Sequence, residues 1–282
     1  MSPCTFRRGK LLAALSLSLS FLHVGLGQEF SLRPLKGSEA RYAPSKLAGF
    51  EPRNSDNQAD IIQLFIEAES KEREALNQHT FKRDVVLQTI GPNGDVTGQY
   101  VRNSQFLFDD KGRRIERVLY HPASTIREMR ITREDIQDLA GGQLLGVDIT
   151  EASKYQFRFV GPDVVNSREL VAIDVTPLIQ PNPNRMSERF FIGRIWIDST
   201  TFQIVRTKGW VEPQGKQRFP TFETWREPFN AALAFPVRTE ADDILHFPQY
   251  DVHYRIKVRY YDYKLFACKV SIKDVDEAPP NQ

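Results

Sequence analysis

The stretch GRIWIDSTTFQIVRTKG, residues 193–209, reads as two β-strands joined by the polar turn Asp198-Ser199-Thr200-Thr201. With Ile197 paired to Phe202 across the turn, Ile195 falls opposite Ile204 and Gly193 opposite Arg206. Side chains alternate along a strand, so Phe191, Ile195, Ile197, Phe202 and Ile204 share one face. Arg194, Trp196, Gln203 and Val205 take the other, which places Trp196 at the outer surface. One greasy face and one mixed face describe a sheet covered on one side only.

The same grammar repeats on either side of this hairpin. Phe81 to Ile90 leads through the turn at residues 91–95 into Val96 to Phe108, and residues 109–112 turn again into Arg113 to His121. Consecutive hairpins of this kind make an antiparallel meander. Tyr155 to Val160 is expected to turn at Gly161-Pro162-Asp163 and return as Arg168 to Thr176. After the hairpin come Phe219 to Arg226 and Phe235 to Leu245. In the last strand, Val252 to Lys264, the residues Tyr254, Ile256, Val258 and Tyr260 alternate with Arg255, Lys257 and Arg259. The apolar set belongs inside; three cations on one strand face are an ordinary solvated surface, not a nucleic-acid stripe.

Two helices interrupt the strands. Asp56 or Asn57 caps the first, which runs from about Gln58 to Gln78 with Ile61, Phe65, Ala68, Ala75 and Leu76 at helical spacing. Its second half is mostly polar, so it buries one stripe or one end. Thr132 to Asp135 resembles a capping box ahead of Ile136 and Leu139, which Gly141 and Gly142 terminate. The expected fold is therefore mainly β with helices (α+β): a single strongly curved antiparallel sheet, an open half-barrel of about 9–11 strands, covered by helices.

The chain has 282 residues, with 38 Lys and Arg against 36 Asp and Glu. Arg7, Arg8 and Lys10 precede an apolar run from Leu11 to Leu26, shorter than a spanning helix needs, with small residues Gly25 and Gly27 at its end. Residues 1–27 are accordingly expected to be a signal peptide cleaved near Gly27, which makes the protein exported, to the periplasm or beyond. Those residues carry three basic and no acidic side chains, so the remainder is nearly neutral and whole-chain charge gives no reason to expect nucleic acid. Residues 28–56, with Pro34, Pro44 and Pro52, read as a flexible arm, 57–270 as the folded domain and 271–282 as a disordered tail. Beyond the leader Cys268 is the single cysteine, so no internal disulfide forms and a small apolar filler is the simplest reading of it.

Nothing in the chain nominates catalysis. His79, His121, His246 and His253 are scattered one per segment, without the clustering a metal site needs. There is no G-x-S-x-G, and Gly209 to Lys216 is one residue too long for a phosphate loop, with Pro213 inside it and Gln217 where Ser or Thr would hold magnesium. The adjacent carboxylates Asp109-Asp110 and Asp242-Asp243 point to opposite faces or into solvent. No cofactor and no enzyme activity is expected. What stands out is aromatic content, 19 Phe, 9 Tyr and 3 Trp, much of it at alternating strand positions. A curved sheet under a loose helical cover offers an apolar lining that accepts hydrocarbon at about 0.8 kcal/mol per methylene.

Residues 58–266 resemble the bacterial outer-membrane lipoprotein-sorting superfamily (LolA/LolB/RseB-like). The likeness is carried by the leader, the helix feeding a strand meander, the hairpin of residues 193–209, and Trp225-Arg226-Glu227 followed by Leu233 to Arg238. Residues 37–52 have no obvious counterpart, and Ala234 stands where glycine is usual. The resemblance implies a half-barrel lidded by helices that binds lipid or lipoprotein acyl chains without chemistry, touches membranes transiently and can engage an envelope protein. An envelope-stress sensor or interaction module using the same cavity is the alternative. Phe191, Ile195, Ile197, Phe202, Ile204, Tyr254, Ile256, Val258 and Tyr260 are the expected cavity lining.

Overall fold

The structure is a computed structural model that describes residues 55–132, 135, 149–180, 182, 189–213 and 219–266. The leader, the arm up to residue 54, the tail with Cys268 and most of the second helix lie outside the described residues. Of that helix, Thr132 and Asp135 remain, and they exchange the expected reciprocal bonds, from each backbone amide to the other's side-chain oxygen, at 2.7 and 3.2 Å.

Ten strands form one antiparallel sheet: β1 (His79–Ile90), β2 (Val96–Phe108), β3 (Arg114–Tyr120), β4 (Tyr155–Val165), β5 (Arg168–Pro177), β6 (Phe190–Asp198), β7 (Ile204–Glu212), β8 (Phe222–Pro228), β9 (Ala234–His246) and β10 (Asp251–Leu265). Their order across the sheet is β3-β2-β1-β10-β9-β8-β7-β6-β5-β4, so β3 and β4 are the edges and the sheet is not closed. Helical cover in the described residues is one α-helix, α1 (Ser55–Leu76), and a 3₁₀ turn, Ile149–Lys154.

The curvature follows from where α1 touches. The Phe65 ring meets Phe157 of edge strand β4 edge-on at 5.7 Å, and Arg114 of the opposite edge, β3, donates to the Leu76 carbonyl. Those two points on the helix are about 17 Å apart at 1.5 Å per residue, whereas ten flat strands would span roughly 43 Å. The sheet must curl until both edges come within reach of one helix. The main core fills this concave side, from Ile61 and Phe65 on α1 to Phe81, Val85 and Leu87 on β1 and Ile173 and Val175 on β5.

The hairpin of residues 193–209 forms as read, with its faces correctly assigned but its register displaced. Gly193 pairs with Gly209, Ile195 with Thr207, and Ile197 with Ile204 across an irregularity between Trp196 and Ile197. The expected Ile197–Phe202 pair does not form. Phe202 belongs to the turn with φ of 58°, because the Asp198 carboxylate accepts from the amides of Thr200 and Thr201 and the Phe202 amide bonds back to the Asp198 carbonyl. Val205 is the extra residue at this irregularity, so Val205 and Arg206 both lie on the convex side while Ile204 stays inside. The facing glycines are required by space: a Cβ on Gly209 would lie 2.2 Å from the Ile192 carbonyl oxygen and 2.7 Å from the Phe191 ring.

Two further expectations are corrected. β4 does not turn at Gly161; it bulges there, between Phe159 and Gly161, and continues to Val165. Pro162 is tolerated because β4 is an edge, and the reversal comes at Asn166 and Ser167, both at positive φ. Trp196 does lie on the convex face but is not an exposed surface residue. It is 7% exposed, in a small second cluster with Leu170, Ala172 and Val205. Its indole N–H donates to Asp163 at 2.8 Å, and the Arg206 guanidinium lies 4.4 Å from its ring. Trp196, Arg206, Trp225 and Arg238 pair in succession across β6 to β9, an alternating row of rings and guanidiniums that shields the convex side.

Candidate functional site: the concave face and its helical strap

The strands bring the predicted lining residues together. Phe191, Ile195 and Ile197 on β6, Ile204 on β7, and Tyr254, Ile256, Val258 and Tyr260 on β10 are all buried members of the concave core, and Phe202 packs against it from the turn. They come from separate parts of one surface, with the three strands β7, β8 and β9 standing between β6 and β10.

The surface is not uniformly apolar. A row of polar side chains crosses its middle: Thr207 pairs with Thr224 and Thr224 with Thr239, all three fully buried. The Thr224 and Thr239 hydroxyls are 2.8 Å apart, and the Tyr260 hydroxyl is 3.5 Å from Thr239. Tyr260 pairs with Arg83, and Arg83 with Ser104, whose hydroxyl donates to Glu116 at 2.6 Å. The reading of the sequence missed this row. Threonine is an ordinary strand residue, and Arg83 sits between Lys82 and Asp84 in what looks like a solvated run.

The strap is held chiefly by charge at its second half. Glu69 and Glu72 are each 2% exposed and Arg226 is 6% exposed. Arg226 donates to Glu69 at 2.6 and 2.9 Å and to Glu72 at 2.9 Å, while the second oxygen of Glu72 accepts the Ala234 amide at 2.9 Å. Burial, opposed by Arg226 and reinforced by the neighbouring Glu69 charge, pushes Glu72 up to about 7. Arg226 is held above its ordinary value, because the two carboxylates outweigh the desolvation of its guanidinium. The signal for this triad was present: 61, 65, 69, 72 and 76 trace one helical stripe, so two glutamates continue the line that Ile61 and Phe65 begin. Acids on a buried stripe require a cation, and Arg226 occupies an inward position after Phe222 and Thr224.

Beside the triad the sheet opens. Pairing between β7 and β8 stops at Arg206–Trp225, so Ile204 and Val205 splay away from Arg226 and Pro228. A cavity of about 250 Å³ fills the wedge, and Arg226 and Ala234 are part of its wall. Arg168 and Asp198, paired at 3.2 Å, stand at it as well. The buried ion pairs therefore lie one wall away from a cavity that water can fill. No helix of the described residues is long and apolar enough to cross a membrane.

No protein-family model matches the sequence, and no curated protein sequence does. Solved structures similar to this chain include a putative outer-membrane lipoprotein-sorting protein domain from Vibrio parahaemolyticus, at 10% identity over 78% of this chain and 96% of that one, TM-score 0.38. A DUF1329 family protein from Desulfovibrio piger matches at 10% identity over 78% and 94%, TM-score 0.34. MucB in the Pseudomonas aeruginosa MucA/MucB complex matches at 12% identity over 72% and 99%, TM-score 0.25. With every TM-score below 0.5, no residue role is taken from them.

Proposed function

We propose that this chain is a non-catalytic binding protein of the bacterial periplasm that holds an acyl chain, of a lipid or a lipoprotein, between the concave face of its sheet and α1. The observation that carries this reading is the mismatch between the two surfaces. The sheet offers a largely apolar wall crossed by one polar row, while half of the helix covering it is fastened by Glu69, Glu72 and Arg226 and not by apolar packing. A cover held by a few ion pairs can be released without dismantling the wall. Breaking such a buried group costs about 4 kcal/mol, which roughly five buried methylenes offset. A long acyl chain has more than enough, and a short one does not.

Native mass spectrometry of purified protein should show co-purified lipid, and delipidated protein should bind a fluorescent fatty acid. Delipidated protein that takes up no acyl probe of any length would sink the proposal.

A second reading is an interaction module for an envelope protein. It is favoured by edge strand β3, where Ile115, Val118, Leu119 and Tyr120 are 42–57% exposed on a strand paired, among the described residues, only with β2. Such an edge is suited to strand addition. Recovery of one stoichiometric envelope protein, in the absence of any bound lipid, would favour this reading.

A further inference from the structure

The polar row ends in more positive charge than it can satisfy. Arg83 on β1, Arg102 on β2 and Glu116 on β3 all face the concave side. The Glu116 carboxylate is taken up by Arg102, at 2.9 Å from Nε and 2.8 Å from Nη2, and by the Ser104 hydroxyl at 2.6 Å. Arg83 is left with one contact to Glu116 at 3.5 Å, the limit of a hydrogen bond. It is 2% exposed, and its Nε has no acceptor. The Phe106 ring lies 4.7 Å from its guanidinium carbon, and Tyr260 flanks it across the pair with β10. Burial pushes Arg83 below its ordinary value, which the partial attraction of Glu116 does not offset. The neighbouring Tyr100 hydroxyl, beside Arg102, is buried and makes no hydrogen bond of normal geometry.

One strand position along, Arg114 adds a third guanidinium. It lies 5.2 and 5.3 Å from the rings of Phe81 and Phe108 and donates to the carbonyls of Leu76 and His79, with burial again lowering its pKa. The helix C-terminus compensates Arg114 in part. Among the described residues nothing comparable reaches Arg83. A buried guanidinium with an idle donor and a shared, distant carboxylate is costly, and the cost disappears when an anion docks beside it.

We propose that Arg83 receives the anionic head, a carboxylate or a phosphate, of the amphiphile whose chain lies along Phe81, Val85, Leu87 and Val258. This rests on the acyl-binding function proposed above and adds a direction to it. The head lies at the β1–β2–β3 side of the concave face, and the tail runs across the sheet toward β6 and β7. Neutral lipids of equal length are then poorer ligands than acidic ones.

The test uses one chain length with three heads: a fatty acid, its methyl ester and a lysophosphatidic acid, each competing for a fluorescent acyl probe on the delipidated protein. Wild type should hold at least one acidic ligand about tenfold or more above the ester, the ratio expected for one charge-assisted pair. Comparing the acid with the phosphate then identifies the head. In Arg83→Met the acid-to-ester ratio should fall to near one, and Arg83→Lys should restore part of it. Binding of the ester as tightly as both acidic ligands by wild type overturns the assignment while leaving acyl binding intact. Failure of all three ligands overturns both. On ligand-free protein, Arg83→Met should keep or raise the thermal midpoint. A clear fall would mark Arg83 as a structural partner of Glu116 and overturn the assignment too.

Discussion

Glu72 of α1 and Arg226 of β8 are 154 residues apart in the chain and 2.9 Å apart in space, with Glu69 sharing the same guanidinium. Removing the cation strands two buried carboxylates, whereas Glu72→Gln removes a repulsion but keeps only one of the two hydrogen bonds that Glu72 accepts, since its amide nitrogen meets a donor. Arg226→Met should therefore lose about 3–5 kcal/mol of unfolding free energy, and Glu72→Gln only about 1–2 kcal/mol, both read from urea titrations. Equal losses would mean that the triad is not the fastening of the helix.

Glu72 also sets a pH dependence. Its carboxyl is raised from 4.5 to about 7, so between those values the folded protein holds a proton that the unfolded chain has released. Stability from this group is present below pH 4.5 and falls as pH rises toward 7, by at most about 3 kcal/mol. Asp198, Asp242 and Glu116 are shifted the other way, so their losses come only at more acid pH. The urea midpoint of wild type should drop from pH 5.5 to pH 8, and that of Glu72→Gln should drop less. A flat wild-type profile would contradict the assignment.

Gly209→Ala should be costly despite its small size. The new methyl has no flexible neighbour to push aside, since the nearest atoms are the Ile192 carbonyl oxygen and the rigid Phe191 ring. Overpacking of this kind costs about 1–3 kcal/mol, visible as a lowered thermal midpoint. Gly94, whose Cβ would meet nothing within 4 Å but whose φ is 82°, should lose less on the same substitution, from backbone strain alone.

Trp196→Ala should cost about 3 kcal/mol, as expected for a large side chain removed from a packed cluster. Trp196→Phe, which keeps a ring beneath Arg206 but loses the bond to Asp163, should retain most of that stability. A neutral Trp196→Ala would mean that the convex face is solvated after all.

Strand number and much of the inside–outside pattern were legible because they depend on local alternation, which residues 252–260 display without interruption. Register was not, since it was decided by the hydrogen bonds of Asp198 within its turn and by one irregular pair at Trp196. Gly161-Pro162 looked like a turn because the same residues serve a bulge on an edge strand. Greasiness alone placed the nine expected lining residues in or against the concave core. Arg83, Glu69, Glu72 and Arg226 were not found, because a charged residue becomes a buried one only through partners brought from elsewhere in the chain.

The span of α1 from one sheet edge to the other has a consequence for how the chain assembles. The helix is synthesised before every strand, yet Arg226 follows Glu69 by 157 residues, and β9, which supplies the Ala234 amide, comes later still. Until β8 and β9 exist, Glu69 and Glu72 have no cation to meet, and water is their better solvent. The first described element thus cannot dock before β8 and β9 exist, and contacts so distant in sequence slow its closure. Folding intermediates of this protein should have a sheet in place and a free amphipathic helix beside it, with the apolar wall still open.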